Sequence, residues 1–346
     1  MRRLLFGFLL LAGLQPAAAE PLKPEIARGY TQPQMLVDIE GGRKLNLYCI
    51  GSGKRTVLFD SGGSDWSVIW GLVQPAVAEK ARACTYDRAG LGYSDAGREP
   101  RSPIAIVEDM HALIRTAKLD TPLVLVGHSL GGFNVKLYSA LYPENVAGMV
   151  LVDPSEERQW DRTRAQLRKQ FGEKLTARAE LLDQSFFSWL MGRYQTCAAE
   201  TRMGDLDPTS ITYRRCSDPV REPLGPEIAA ERARIQVKGK YQAAQASEVI
   251  NSIYGDERGS TAYANLFRPG VLGTMPLIVL THGTYDPDDP LDALSQAQGI
   301  ALHRETAKLS RAGSQRVVPN SLHNIEIDAP EAIIDAVREV LGKIEK

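Results

Sequence analysis

Ser129, His323 and a small set of aspartates are the residues whose types and order could do covalent chemistry in this 346-residue chain. Ser129 sits in Gly127-His128-Ser129-Leu130-Gly131, after an apolar run from Val124 and before a helix-like pattern of Phe133, Val135, Leu137, Tyr138 and Leu141. The spacing predicts strand, sharp turn and helix, with the serine at the apex. A side chain at either glycine would crowd so tight a reversal. A hydroxyl held there stands at a helix N-terminus, where free N–H groups and the helix dipole favour developing negative charge. The chemistry such a serine serves is nucleophilic attack on a carbonyl; the competing reading is a serine that merely caps the helix.

A serine nucleophile needs a base, and the base needs an acid to orient it. His323 follows the last strand-like run, Gln315 to Val318, in a loop before the closing helix, which makes it the expected base. His282 ends the strand Pro276 to Leu280 and its loop, and is the rival; His128 should point into the packing of the turn. For the acid, Asp286 is favoured because it follows the penultimate strand, with Asp153 as the alternative and Asp288 and Asp289 behind it. The glycine-rich loop Asp60 to Ser64 also follows a strand, so the backbone N–H of Gly63 is expected to hold the oxyanion together with that of Leu130. Asp87 and Arg88 read as braces of their own loop.

Strands and helices alternate from Gln34 to Asp153 and again from Pro276 to the end, which predicts a mostly parallel sheet with helices on both faces. Gln34 to Glu40 and Lys44 to Cys49 read as a hairpin over Gly41 and Gly42, and Pro103 to Leu119 reads as an amphipathic helix. Reactive groups in such folds gather at the carboxyl ends of the strands, where Ser129, the glycine loop and Asp153 all fall. Residues 155–270 carry helical spacing and no convincing strand, and read as a helical insertion. Phe186, Phe187, Trp189 and Met191 within it are expected either to line the substrate pocket or to form the insertion's own small core.

These motifs together resemble the α/β-hydrolase superfamily, in its esterase, lipase and peptidase-like branch. The resemblance rests on VLVGHSLGG, YDRAGLGYSD, the glycine loop, the histidine before the last helix and the order Ser, Asp, His. It covers roughly residues 34–155 and 276–346. Many members begin the oxyanion loop with His-Gly, where this chain has Ser61 and Gly62, and the backbone donor can survive that change. The resemblance implies an α/β-hydrolase fold with a helical lid, acyl transfer through an acyl-enzyme, a small-molecule acyl substrate and no cofactor or metal. Carboxylic esters are the first expectation, with peptide, lactone or thioester substrates as variants. A noncatalytic binding protein on the same fold is the alternative.

Composition and the N-terminus set the surroundings. A net charge of −1 argues against nucleic acid as a partner. Arg2 and Arg3, an apolar run from Leu4 to Leu14 and alanines at 17 to 19 read as a signal peptide cleaved after Ala19. The run is too short for a comfortable span, so no stable membrane anchor is expected in a periplasmic or secreted mature protein. The divisions predicted are 1–19 signal, 20–154 first core part, 155–270 lid and 271–346 second core part. In an oxidising compartment the four cysteines should pair, Cys49 with Cys84 and Cys197 with Cys216, against the alternative of buried free thiols. The sequence sets no oligomeric state.

Overall fold

The apolar run before Ser129 is buried along its whole length, as a strand covered on both faces must be. Alternate side chains of a strand leave on opposite faces. Val124 and Val126 accordingly join one core with Phe59, Trp70 and Val337, while Leu123 and Leu125 join another with Met110, Leu113 and Tyr138. The computed structural model describes residues 22–345; the segment read as a signal peptide lies outside them.

The strands among the described residues are β1 Met35–Ile39, β2 Arg43–Ile50, β3 Thr56–Asp60, β4 Arg82–Tyr86, β5 Leu123–His128, β6 Val146–Val152, β7 Leu277–His282 and β8 Gly313–Val318. They form one sheet in the order β1-β2-β4-β3-β5-β6-β7-β8. Pairing is antiparallel for β1 with β2 and β2 with β4, and parallel for every other pair. Helix Pro330–Ile344 covers one face through Ile333, Val337 and Val340; helix Pro103–Thr116 covers the other through Met110 and Leu113.

The reversal at Ser129 is as tight as its glycines predict. A Cβ on Gly127 would lie 2.4 Å from the Gly131 carbonyl oxygen, and one on Gly131 would lie 2.4 Å from the oxygens of Asp60 and Ser61. Ser129 itself has φ 51° and ψ −120°, a conformation that costs about 1–3 kcal/mol and persists only where its surroundings enforce it.

Between β6 and β7 the described chain is helical, and its longest helix, Glu173–Glu200, has only Thr176, Tyr194 and Cys197 buried. Two disulfides are present. Cys49–Cys84 joins β2 to β4, where the two residues face each other in the register. Cys197–Cys216 ties the long helix to helix Ile211–Cys216 across 19 residues, a constraint on the unfolded chain of about 3 kcal/mol.

Candidate active site

Because β6 and β7 are parallel neighbours, the turn after β6 and the end of β7 meet. Asp153, the residue after β6, has φ 42° and donates its N–H to the Leu280 carbonyl at 2.8 Å. Its Oδ2 accepts from His323 Nδ1 at 2.6 Å and from His282 Nδ1 at 2.8 Å, while Oδ1 accepts the His282 N–H at 3.1 Å. Burial alone would raise the carboxyl's pKa; the hydrogen bonds from His282 and His323 outweigh it and hold the group well below the usual range. A carboxylate only accepts, so both rings carry their proton on Nδ1 and keep Nε2 as a basic nitrogen. Desolvation in the cleft pulls the His323 pKa down, and the bond to Asp153 and its charge more than reverse this, leaving the imidazole above its ordinary value.

The favoured acid of the sequence reading is therefore misplaced. Asp286 is exposed, its Oδ1 accepts the Asp288 N–H at 2.9 Å, and its own N–H goes to Asp292 Oδ2 at 2.7 Å. The chain leaves β7 outward, pinned by Gly283 and Thr284 N–H groups on the Ser321 carbonyl. The loop's acids then serve its own turn and the next helix, with Asp289 accepting from Leu291 N–H at 2.9 Å as the cap of Pro290–Ala307. Asp153, the alternative, is the acid the structure brings to His323.

Ser129, Asp153 and His323 line one cavity of about 480 Å³, and Gly63 and Leu130 line it with them. The Ser129 hydroxyl lies 3.5 Å from Ser155 Oγ, a residue the sequence reading passed over. Gly63 is packed so closely that a Cβ there would lie 2.9 Å from Leu130 Cδ1. The loop carrying Gly63 is held from beneath by Arg88, which donates to the carbonyls of Ser61 at 2.5 Å and Gly62 at 2.7 Å. Asp60 and Glu248 neutralise that buried guanidinium at 2.8 and 2.9 Å.

His128 points into the packing, as expected, and has a partner that no sequence motif announced. Its Nε2 donates to the His323 carbonyl at 3.0 Å, so its neutral form presents a lone pair on Nδ1, 3.2 Å from Oε1 of fully buried Glu326. Burial and the neighbouring His323 push His128 down to about 3, and burial pushes Glu326 up to about 7. The opposite shifts leave the proton on the carboxyl and the ring neutral, while Asn324 Nδ2 donates to the same Oε1 at 3.0 Å.

The long helix closes the cavity from the other side. Asp183, Phe186, Phe187, Leu190 and Tyr194 line it, and Tyr194 Oη receives a hydrogen bond from Ser64 Oγ at 3.1 Å. Phe187 stacks on Tyr254 with centroids 4.0 Å apart. Two of the four apolar residues expected here do not line it. Trp189 is 58% exposed, and Met191 packs beside Tyr194, Ala246 and Val249. Residues turn by about 100° each along a helix, which carries position 189 away from the face that holds 183, 187, 190 and 194.

A family model described as the alpha/beta hydrolase fold matches residues 55–330. The chain belongs to the α/β-hydrolase family. Among curated relatives of this α/β-hydrolase, the Bacillus subtilis protein YqjL is 30% identical over 105 residues, covering 30% of this chain and 42% of that one. A mouse (lyso)-N-acylphosphatidylethanolamine lipase is 36% identical over 89 residues, covering 25% of this chain and 26% of the lipase. The chain thus spans less than half the length of these relatives. A thermophilic esterase from Thermogutta terrifontis superposes with a TM-score of 0.58 at 17% identity, over 91% of this chain and 100% of the esterase, a likeness of fold.

Proposed function

We propose that this α/β-hydrolase is an exported serine hydrolase that cleaves a carboxylic ester through an acyl-enzyme on Ser129. The single observation that carries the reading is the 2.6 Å bond from His323 Nδ1 to Asp153, which leaves His323 Nε2 as a base in the cavity that Ser129 lines. In the first step Nε2 takes the hydroxyl proton as Ser129 Oγ attacks the ester carbonyl. Asp153 keeps the ring in the required tautomer and stabilises its cationic form. The N–H groups of Gly63 and Leu130 hold the oxyanion, Leu130 being the first residue of its helix, where N–H groups lack intrahelical partners. His323 then gives its proton to the departing alcohol, and water, deprotonated by the same nitrogen, releases the acid.

The mouse relative is named a lipase and the Thermogutta neighbour an esterase, which favours an ester over an amide. Export is supported by the basic and apolar N-terminal segment and by two disulfides, which persist in oxidising compartments. The test is labelling of the oxidised protein with a fluorophosphonate, the adduct mapped by mass spectrometry, alongside a panel of esters. Labelling at Ser129, lost in Ser129→Ala together with turnover, is expected. A well-folded protein that neither labels nor turns over any ester would favour a binding protein instead.

A further inference from the structure

The cavity contains a carboxylate for which ester cleavage has no use. Asp183 shares one face of the long helix with Phe187, Leu190 and Tyr194, at spacings of four, seven and eleven residues. Its Oδ2 accepts from Gln159 Nε2 and from Trp160 Nε1, both at 2.8 Å. No donor among the described residues bonds Oδ1 in the same way, and no lysine, arginine or histidine pairs with the group. The contrast with Glu156, which lines the same cavity, is sharp: there Lys136 and Arg162 stand at 2.9 and 2.8 Å. A half-buried carboxylate with no counter-ion is costly, and burial accordingly raises the Asp183 pKa.

A second cavity, of about 230 Å³, shares Asp183, Phe186, Ser295 and Gln298 with the main one. Asp183 therefore stands at a junction, where a substrate reaching past Phe187 must go by it. Eleven residues of helix separate it from Tyr194 beside the oxyanion loop, about 16 Å along the axis.

We propose that Asp183 is a subsite for a protonated amine, carried by the substrate at the far end of an apolar spacer from the reacting carbonyl. The ammonium supplies the missing counter-ion and donates to the open Oδ1, while Phe187 and Leu190 pack along the spacer. The structural use of Asp183, bracing Gln159 and Trp160, needs only one accepting oxygen, which an asparagine amide would keep. The proposal rests on the ester-hydrolase reading, and its test separates the two.

Wild type and Asp183→Asn are compared on two matched medium-chain series of nitrophenyl esters, one ending in an amine and the other in a methyl group. A second arm moves the amine to the alcohol side. In wild type, kcat/KM should favour the amine in one arm by about tenfold or more, as a charge-assisted hydrogen bond is worth. In Asp183→Asn that ratio should fall to near one, with the methyl series unchanged within about twofold, since an isosteric amide keeps the brace. Turnover of the methyl series with no amine preference in either arm would overturn the subsite and leave the hydrolase intact. Should no ester be turned over, calorimetry with octylammonium against octanol reads the subsite directly. Tighter octylammonium binding lost in Asp183→Asn supports it, and equal binding by both proteins overturns it.

Discussion

The turn after β6 and the long helix Glu173–Glu200 face the same cavity and are built in opposite ways. Asp153 is buried, and each of its carboxylate oxygens holds a hydrogen bond, from groups at the ends of β7 and β8. Across the cavity, Leu182, Phe186 and Trp189 of the helix are largely exposed, and three of its 28 residues are buried. One wall is fixed by the ends of adjacent strands, and the other is a helix that leaves most of its side chains less than fully buried and is tied by a disulfide near its C-terminal end. On the proposed reaction the chemistry falls to the strand-end wall, where sub-ångström placement matters, and the fit of the substrate to the helical one.

His282 shares Asp153 Oδ2 with His323 on the strand-end wall. His282→Asn should lower kcat/KM about tenfold, because the carboxylate keeps the backbone N–H of position 282 on Oδ1 but loses the imidazole donor that fixes Oδ2. The acid limb of the pH profile should also move upward, since Asp153 would then stabilise the His323 cation alone. A change in KM with an unmoved pH profile would make His282 a substrate contact only.

Glu326→Gln tests the opposite shifts of the buried His128 and Glu326. In the folded protein Glu326 at about 7 keeps its proton and His128 at about 3 lacks one; the unfolded values are near 4.5 and 6.5. Glu326, with its raised pKa, contributes stability that is full below pH 4.5 and lost as pH rises through 7. His128, with its depressed pKa, contributes stability that is full above pH 6.5 and lost as pH falls through 3. Between 4.5 and 6.5 each state binds one proton on this pair, and the two slopes cancel. Glu326→Gln removes one side of that balance, so its stability should fall by about 2–3 kcal/mol relative to wild type on acidification across this window. Parallel unfolding curves for the two proteins between pH 4.5 and 6.5 would contradict the opposite shifts of the two groups.

The smallest effects belong to the helical wall. Phe187→Ala should raise KM several-fold for apolar esters with little change in kcat, and Trp189→Ala should leave both within about twofold, because an exposed ring contributes little. Equal losses from the two would mean that the helix turns its other face to the substrate in solution.

The elbow was legible in the sequence because Gly127 and Gly131 are demanded by backbone contacts within a few residues and by the loop after β3. His323 was legible because it is placed by the last strand and helix. The sequence favours Asp286 over Asp153 as the acid, and the structure reverses the order for a physical reason. Which of two strand ends carries the acid depends on the path of the loops that follow. Local sequence shows aspartates after both. The Asp286 run is spent on a turn and a helix cap, whereas Asp153 meets His323 only because β6 and β7 are neighbours in the sheet. Glu326 and Ser155 left no signal at all, since each matters through a partner elsewhere in the chain, and the open oxygen of Asp183 left none, since its meaning lies in a donor the chain does not supply.

Which acid serves His323 is read most directly from the rate of fluorophosphonate labelling of Ser129 in Asp153→Asn and Asp286→Asn. A loss of about a thousandfold or more is expected in the first, as when an oriented imidazole is left in the wrong tautomer, and a rate within about twofold of wild type in the second. Near-normal labelling in Asp153→Asn with a large loss in Asp286→Asn would contradict the assignment of Asp153.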